Sequence, residues 1–426
     1  MNILLLGSGG REHAIAWKLS LSPMLGNLYI APGNAGTANL GTNLAVSPLH
    51  FDKIRNTVLT RQIDMVVVGP EDPLVHGIHD YFLSDPDLKT VPVIGPTKKA
   101  AMLEGSKDFA KQFMNRHGIP TARHRTFCKP DFDEGVEFLK TLHPPYVLKA
   151  DGLAAGKGVI ICSSLGEAVT EFSGMLMDER FGHASRKVVI EEFLRGTELS
   201  VFILTDGKSF LMLPEAKDYK KIGEDDTGPN TGGMGSVSPV PFAGRQFMQK
   251  TLDRIILPTL KGLHMEGIDY QGFIFFGLIN VKGDPYVIEY NCRLGDPEAE
   301  SVIPRLGNDL VQLLKAVGER TLDKEILTID PRACATVVLA SGGYPGTYEK
   351  NKVITGTENV NGSMIFHAGT AKNRESGELV TSGGRVLAVT SLADTLKEAL
   401  TSSYDNIAKI DFEGKTYRSD IGFDVL

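Results

Sequence analysis

Over its first hundred residues the chain alternates short apolar runs with helical stretches, and this alternation restricts the fold more than any other feature. Residues 2–6, 28–31, 65–69 and 91–95 read as strands, and residues 11–20 and 51–61 as helices. Short, wholly apolar strands separated by helices imply a parallel sheet covered on both faces. Ligands of such sheets sit at the carboxyl ends of the strands. Those ends carry GSGGREHA (7–14), APGNAG (31–36) and GPEDPL (69–74).

A helical stretch follows at 97–117, with Ser106 as an N-cap and Gly118 as a C-terminal stop. VVIEEFLRGTELSVFIL (188–204) reads as two strands around a turn. EAKDYKKIGEDDTGPNTGGMGSVSP (215–239) is polar and glycine-rich, and a loop this long within a compact domain is usually functional. A helix (246–265) and a hairpin, GFIFFGLINVKGDPYVIEYN (272–291), come next. The last hundred residues read as a separate small α+β unit, with strands in RACATVVLAS, SMIFHAGTA and GRVLAVTSL, a helix at 394–410, and little chemistry.

Composition narrows the class. The chain has 426 residues, enough for several domains, with 42% hydrophobic and 23% charged residues, as in soluble globular proteins. A formal charge of −7 argues against nucleic-acid binding, which needs a basic face, but leaves room for a local basic pocket. Cys128, Cys162, Cys292 and Cys334 are widely spaced, as expected of reduced thiols in a cytoplasmic protein. His76 and His79 have no third ligand nearby in sequence and read as surface residues. No apolar stretch is long enough for a bilayer, and MNILLLGSGG reads as a first strand and not as a signal peptide, so no membrane association is expected.

Two glycine-rich loops are candidates for holding phosphate. LKADGLAAGKGVIIC (148–162) is not a Walker A loop: only three residues separate Gly152 from Gly156, and Gly158 follows Lys157 where a hydroxyl would hold magnesium. It joins strand to strand, so it must act through its own amides and lysines as a movable flap. GSGGREHA begins like a dinucleotide fingerprint, but Glu12 stands at the third glycine and no acidic residue ends the second strand. This loop is either a phosphosugar cradle or only a tight turn.

Two further segments carry carboxylates. In YVIEYN, Glu289 and Asn291 are two apart on a strand and share a face. A carboxylate and an amide oxygen are hard ligands suited to magnesium, and RLGDPEAE brings Arg293, Asp296 and Glu298 near the same strand end. In EEFLRGTE, the Glu191–Glu192 pair is either a solvated strand edge or part of a nucleotide hinge, in which Glu198 would accept ribose hydroxyls.

Together these pieces resemble the ATP-grasp enzymes, and within them the glycinamide ribonucleotide synthetase (phosphoribosylamine–glycine ligase) family. The motifs are GSGGREHA, APGNAG, GPEDPL, EGSKDFAK, LKADGLAAGKGV, DTGPNTGGMG, IEYNCRLGDPE and FHAGT, spread from residue 7 to residue 370. The resemblance implies an α/β N-terminal domain with a doubly wound parallel sheet (1–101), a central ATP-grasp domain (102–327) with a lid subdomain near 121–190, and a C-terminal α+β domain (328–426). It assigns ATP to Lys107, Lys149, Gly156, Lys157, Gly158, Glu191, Leu194 and Glu198, and a metal, Mg2+ or Mn2+, to Glu289 and Asn291. It assigns the substrates to Gly9, Gly10, Arg11, Asp218, Asn230, Thr231, Gly232, Gly233 and Arg293, with Lys149 and Arg293 catalytic.

The implied reaction joins glycine to 5-phosphoribosylamine with ATP, through glycyl phosphate, in purine biosynthesis. The alternative is another ATP-grasp carboxylate–amine ligase or carboxylase of purine metabolism. A monomeric, cytoplasmic enzyme with small-molecule partners is expected. The chain departs from the family pattern at Lys221, where arginine is expected, and at Leu294, where phenylalanine is expected. The first strand of the metal hairpin, GFIFFGLI, supplies no acid.

Overall fold

The computed structural model describes residues 1–153 and 158–426. Gly156 and Lys157 therefore lie outside the described residues. Five parallel strands form the N-terminal sheet in the order Thr42–Asn43, Asn27–Pro32, Asn2–Gly7, Met65–Val68, Val93–Ile94. Ile3, Leu5, Met65 and Val67 enter one core, and Leu4, Leu6, Val66 and Val68 enter another. Alternate residues thus serve opposite faces, and both faces are covered. Helix Gly10–Ser20 packs Ala14, Ile15 and Leu19 on the first side, and helix Phe51–Arg61 packs Ile54 and Val58 on the second. The strand order reverses beside Asn2–Gly7, which makes its carboxyl end the switch point where such sheets open a crevice.

The stretch 97–117 is two helices, Lys98–Gly105 and Lys107–Arg116. Ser106 is extended between them and caps the second, its Oγ accepting from the Phe109 amide at 3.1 Å. Asp151, at the end of a lid strand, reinforces the break by accepting from Ser106 Oγ and the Asp108 amide, both at 2.8 Å. A carboxylate at a helix N-terminus also meets the helix dipole favourably.

The lid is an antiparallel sheet in the order His124–Cys128, Lys187–Glu192, Tyr146–Ala150, Val159–Cys162. Helices Phe132–Lys140 and Leu165–Leu176 back it, around a core of its own that includes Phe127, Phe138 and Phe172. The two strands read in VVIEEFLRGTELSVFIL are not a hairpin. Lys187–Glu192 ends in the lid, and Thr197–Thr205 belongs to a second antiparallel sheet with Phe210–Met212, Gly272–Val281 and Asp284–Asn291. Residues 193–196 carry the chain from one sheet to the other. Gly196 is required there, because a Cβ would lie 2.1 Å from the Asn280 carbonyl oxygen.

The C-terminal unit is not separate either. Its sheet runs Lys217–Asp218, Gly235–Ser238, Ala333–Ala340, Arg385–Ala393, Met364–His367, so the glycine-rich segment supplies its first two strands. Tyr219, Met234 and Val237 lie in its core with Val337, Val389 and Leu400 of helix Leu396–Ile407. That interlock was not visible from periodicity because strands of two to four residues leave too short a pattern.

His79 differs from its surface reading: it is buried, and its Nδ1 lies 2.6 Å from the Gly95 carbonyl. His76 is exposed. Among the described residues, no helix is long and apolar enough to cross a membrane.

Candidate active site

A cavity of about 790 Å³ opens where the lid, the antiparallel sheet, the switch point of the parallel sheet and the glycine-rich segment meet. Of the residues assigned from sequence, Arg11, Lys107, Lys149, Gly158, Glu191, Glu198, Asp218, Asn230, Thr231, Gly232, Glu289, Asn291 and Arg293 line it. Gly9, Gly10, Leu194 and Gly233 do not.

On the lid side, the pairing of Tyr146–Ala150 with Lys187–Glu192 sets Val147 opposite Glu191, so Lys149 and Glu191 share a face. Lys149 Nζ lies 3.1 Å from Glu191 Oε1 and Lys111 Nζ 3.0 Å from Glu191 Oε2; Lys111 also donates to Thr121 Oγ1 at 2.6 Å. All three charged side chains are buried. Glu191 is therefore no solvated strand edge; only Glu192, on the opposite face, matches that reading, accepting from the Arg123 amide at 2.7 Å. Burial opposes the charge of Glu191, but Lys111 and Lys149 outweigh it and hold the carboxyl below its ordinary pKa. Burial lowers Lys111 to about 8 against the pull of Glu191. Two ammonium groups on one carboxylate leave a net positive patch. Lys107 extends it, its Nζ donating to the Gly152 carbonyl at 3.3 Å.

The hairpin end carries the hard ligands. Glu289 and Asn291 project from one face of Asp284–Asn291, and Gly277 stands opposite Glu289 in register. Hydrogen bonding orients Asn291 so that its amide nitrogen donates to Glu104 Oε1 at 2.9 Å, which turns its oxygen the other way, toward donors. Glu104 also accepts from the Cys292 amide at 2.7 Å and pairs with Arg293 Nη2 at 2.8 Å. Arg293 Nε meets Glu71 Oε2 at 3.2 Å, at the switch point. Burial pushes the Glu104 carboxyl up despite Arg293, whereas Arg293 and Arg11 hold Glu71 down despite burial. Among the described residues, no group of three or more His, Cys, Asp or Glu side chains could hold a metal. One carboxylate and one amide oxygen fit a cation that takes the rest of its shell from phosphate and water.

Across the cavity, Lys220 Nζ lies 2.8 Å from Glu198 Oε2, and Ser200 Oγ donates to Glu298 Oε1 at 2.9 Å. Lys220 holds the Glu198 carboxyl low. Burial raises Asp218, and burial together with Asp218 raises Glu298 to about 7. The cavity thus sets a carboxyl raised above its ordinary range, Glu298, beside the ammonium of Lys220.

The N-terminal loop does not offer a free phosphate cradle. The Gly9 amide donates to Glu12 Oε2 at 2.6 Å and the Arg11 amide to Asp296 Oδ2 at 3.2 Å. Glu12 fills the place that a dinucleotide phosphate would need: a Cβ on Gly7 or Gly69 would lie 2.5 or 2.1 Å from its atoms. Its Oε1 also pairs with Arg11 Nε at 2.7 Å. The chain's own carboxylates occupy these donors, and Arg11 reaches the cavity through its side chain.

Glu104, Lys111, Lys220 and Arg385 also line the cavity and were not among the residues assigned from sequence. Lys111 could have been found, because it follows Lys107 by one helical turn and shares its face. Lys220 was passed over for Lys221, which also lines the cavity. Glu104 opens the EGSKDFAK motif, but the motif alone gave it no role; nothing local marks Arg385.

The chain is similar to known proteins along its whole length. Residues 1–104, 105–299 and 334–424 match the family models for the N domain, the ATP-grasp (A) domain and the C domain of phosphoribosylglycinamide synthetase. The phosphoribosylamine–glycine ligase of Pseudomonas aeruginosa is 44% identical over 99% of this chain and 98% of its own length. That of Chlorobaculum tepidum is 46% identical over 100% of both. The crystal structure of the Thermotoga maritima phosphoribosylamine–glycine ligase superposes with a TM-score of 0.83 at 39% identity, covering 99% of this chain and 100% of the other.

Proposed function

The chain belongs to the phosphoribosylglycinamide synthetase family, and from that premise we infer that it ligates glycine to 5-phosphoribosylamine with ATP. The observation that carries this reading to particular residues is the convergence of Lys107, Lys149, Glu289, Asn291 and Arg293 on one cavity.

A carboxylate is a poor acyl donor at neutral pH. An oxygen of the glycine carboxylate attacks the γ-phosphorus of ATP in line, ADP leaves, and glycyl phosphate forms. The amine of phosphoribosylamine then attacks the acyl carbon, phosphate leaves with the transferred oxygen, and an amide remains. The chain supplies positioning and charge. Lys107, Lys149 and Lys111 form the cationic floor for the polyphosphate, with Gly158 at the edge of the flap. Backbone near Glu191 and Leu194 borders adenine, and Glu198 takes the ribose hydroxyls. Asp218, Asn230, Thr231, Gly232 and Arg293 receive glycine and the sugar amine, Gly233 gives their loop its turn, and Arg11 faces the phosphosugar. Gly9 and Gly10 shape that loop from behind.

Glu289 and Asn291 would hold the divalent ion, Mg2+ or Mn2+, which neutralises phosphate charge when bound. The amine must lose a proton as the amide forms, and Asp218 with Glu298 is the pair in the cavity able to take it. Acyl phosphates hydrolyse, so the lid must exclude water before the first step.

Glycine labelled with 18O in its carboxylate tests this route. One labelled oxygen per turnover is expected in the released phosphate. Release of unlabelled phosphate only would rule it out.

A further inference from the structure

We propose that Arg385 and Tyr344 of the C-terminal domain are positioning residues for the reaction, clamping the substrate loop 230–233 from behind. The proposal rests on the reading that this loop receives glycine and the sugar amine.

Arg385 opens strand Arg385–Ala393. Its Nη1 donates to the Gly232 carbonyl at 2.6 Å and the Asp296 carbonyl at 2.7 Å, and its Nη2 lies 2.8 Å from Asp296 Oδ1. Tyr344 OH accepts from the Gly232 amide at 3.0 Å. Gly232 is thus held at its N–H and its C=O by two side chains more than a hundred residues away in sequence. The loop is shaped to admit them. A Cβ on Gly232 would lie 2.9 Å from Arg385 Cζ, and one on Gly384 would lie 2.2 Å from Tyr344 Cδ2. Gly233 has φ +111, and a Cβ there would lie 2.3 Å from Pro297 Cδ.

The same guanidinium reaches further. Asp296 Oδ2 accepts from the Arg11 amide at 3.2 Å, so Arg385 connects the loop, the segment after the metal hairpin and the start of the first helix. Side-chain exposure is only 20% for Arg385 and 12% for Asp296, which limits screening by water. A planar fork can serve these acceptors together; an ammonium on a flexible stem cannot. Among the described residues, Arg385 and Tyr344 make no hydrogen bond to the ATP-side lysines, which hang from the lid and helix Lys107–Arg116. The clamp therefore acts on one half of the site.

The test is a KM split. Arg385→Met is expected to raise KM for both glycine and phosphoribosylamine about tenfold or more, with KM for ATP changed less than about twofold. Arg385→Lys should recover only part of the loss, and added guanidinium should lower both KM values in Arg385→Met. Tyr344→Phe should move the same two constants in the same direction by less, and it carries the test if Arg385→Met does not fold. Asn230→Ala probes the loop itself. If it raises KM for glycine while Arg385→Met does not, the clamp is wrong and the loop reading stands. If neither variant alters either KM, the loop reading fails and the clamp with it. If Arg385→Met abolishes inhibition by ribose 5-phosphate but leaves KM for glycine unchanged, Arg385 binds phosphate directly and the positioning role is overturned.

Discussion

Lys149 and Glu191 stand on one face of neighbouring antiparallel strands, 3.1 Å apart at their charged atoms, and Lys111 closes the same carboxylate at 3.0 Å. The carboxylate lets two ammonium groups remain in a nearly dry site. Glu191→Gln should cost about 3–5 kcal/mol of stability, the usual penalty for leaving a buried charge unpaired. ATP brings negative charge to the same place, so it should restore more melting temperature to the variant than it adds to the parent. Thermal unfolding with and without ATP measures both effects, and a variant as stable as the parent would contradict the arrangement.

Glu298 sets a pH dependence. Its carboxyl, raised to about 7 by burial and by Asp218, takes a proton only when ionised, so kcat should rise with pH through about 7. Glu298→Gln should lower kcat by about 10²–10⁴-fold and remove that limb. The stability sign is the reverse. A carboxyl raised from 4.5 to about 7 contributes most below pH 4.5 and loses that contribution as pH rises through about 7. Glu298→Gln should therefore gain on the parent in chemical denaturation above pH 7. A pH–kcat profile identical to the parent's would remove Glu298 from the proton path.

Metal dependence should follow the hairpin. Glu289→Gln is expected to raise the magnesium concentration for half-maximal turnover by about ten- to hundredfold, and Glu104→Gln, which orients Asn291, by less. Chelation with EDTA should stop turnover, and calorimetry should show weaker binding of ADP in the presence of Mg2+ in both variants. Unchanged metal titrations in Glu289→Gln would move the cation elsewhere.

The seam between the first and last domains should weaken in acid. His13 Nδ1 accepts from the His367 amide at 2.6 Å, and Asn34 donates to the His367 carbonyl at 2.7 Å. Burial, with His367 adding, lowers His13 to about 3, and burial lowers His367 to about 4. Depressed histidines contribute stability in full above the ordinary value of 6.5, and the contribution is lost as pH falls toward 4. Melting temperature should fall over that window. His13→Gln, which keeps an acceptor for the amide, should flatten the fall. An equal slope in the variant would place the acid sensitivity elsewhere.

Much of this was legible in the chain. Residues 2–6 and 65–69 could be read as strands because both faces of the sheet are buried and the apolar run is unbroken. Glu289 and Asn291 could be read because strand period alone puts them on one face. What could not be read depends on contacts between distant segments. Lys111 looks like a surface lysine until Glu191 arrives from the lid. Gly9 looks like a phosphate cradle until Glu12 turns back onto it. The strands around EEFLRGTE look like a hairpin, since sequence does not say which sheet each will join. Arg385 gives no local sign of its partners, which lie 153 and 89 residues away.

Coupling of ATP cleavage to amide formation is what sets this enzyme apart from a simple ATPase. Purified protein with magnesium, glycine and phosphoribosylamine generated in situ should be assayed for ADP, leaving out each component in turn. ADP is expected only when both substrates are present, in step with one new amide per ADP. ADP release that ignores the sugar amine, or no turnover under any combination despite ATP binding, would contradict this coupling.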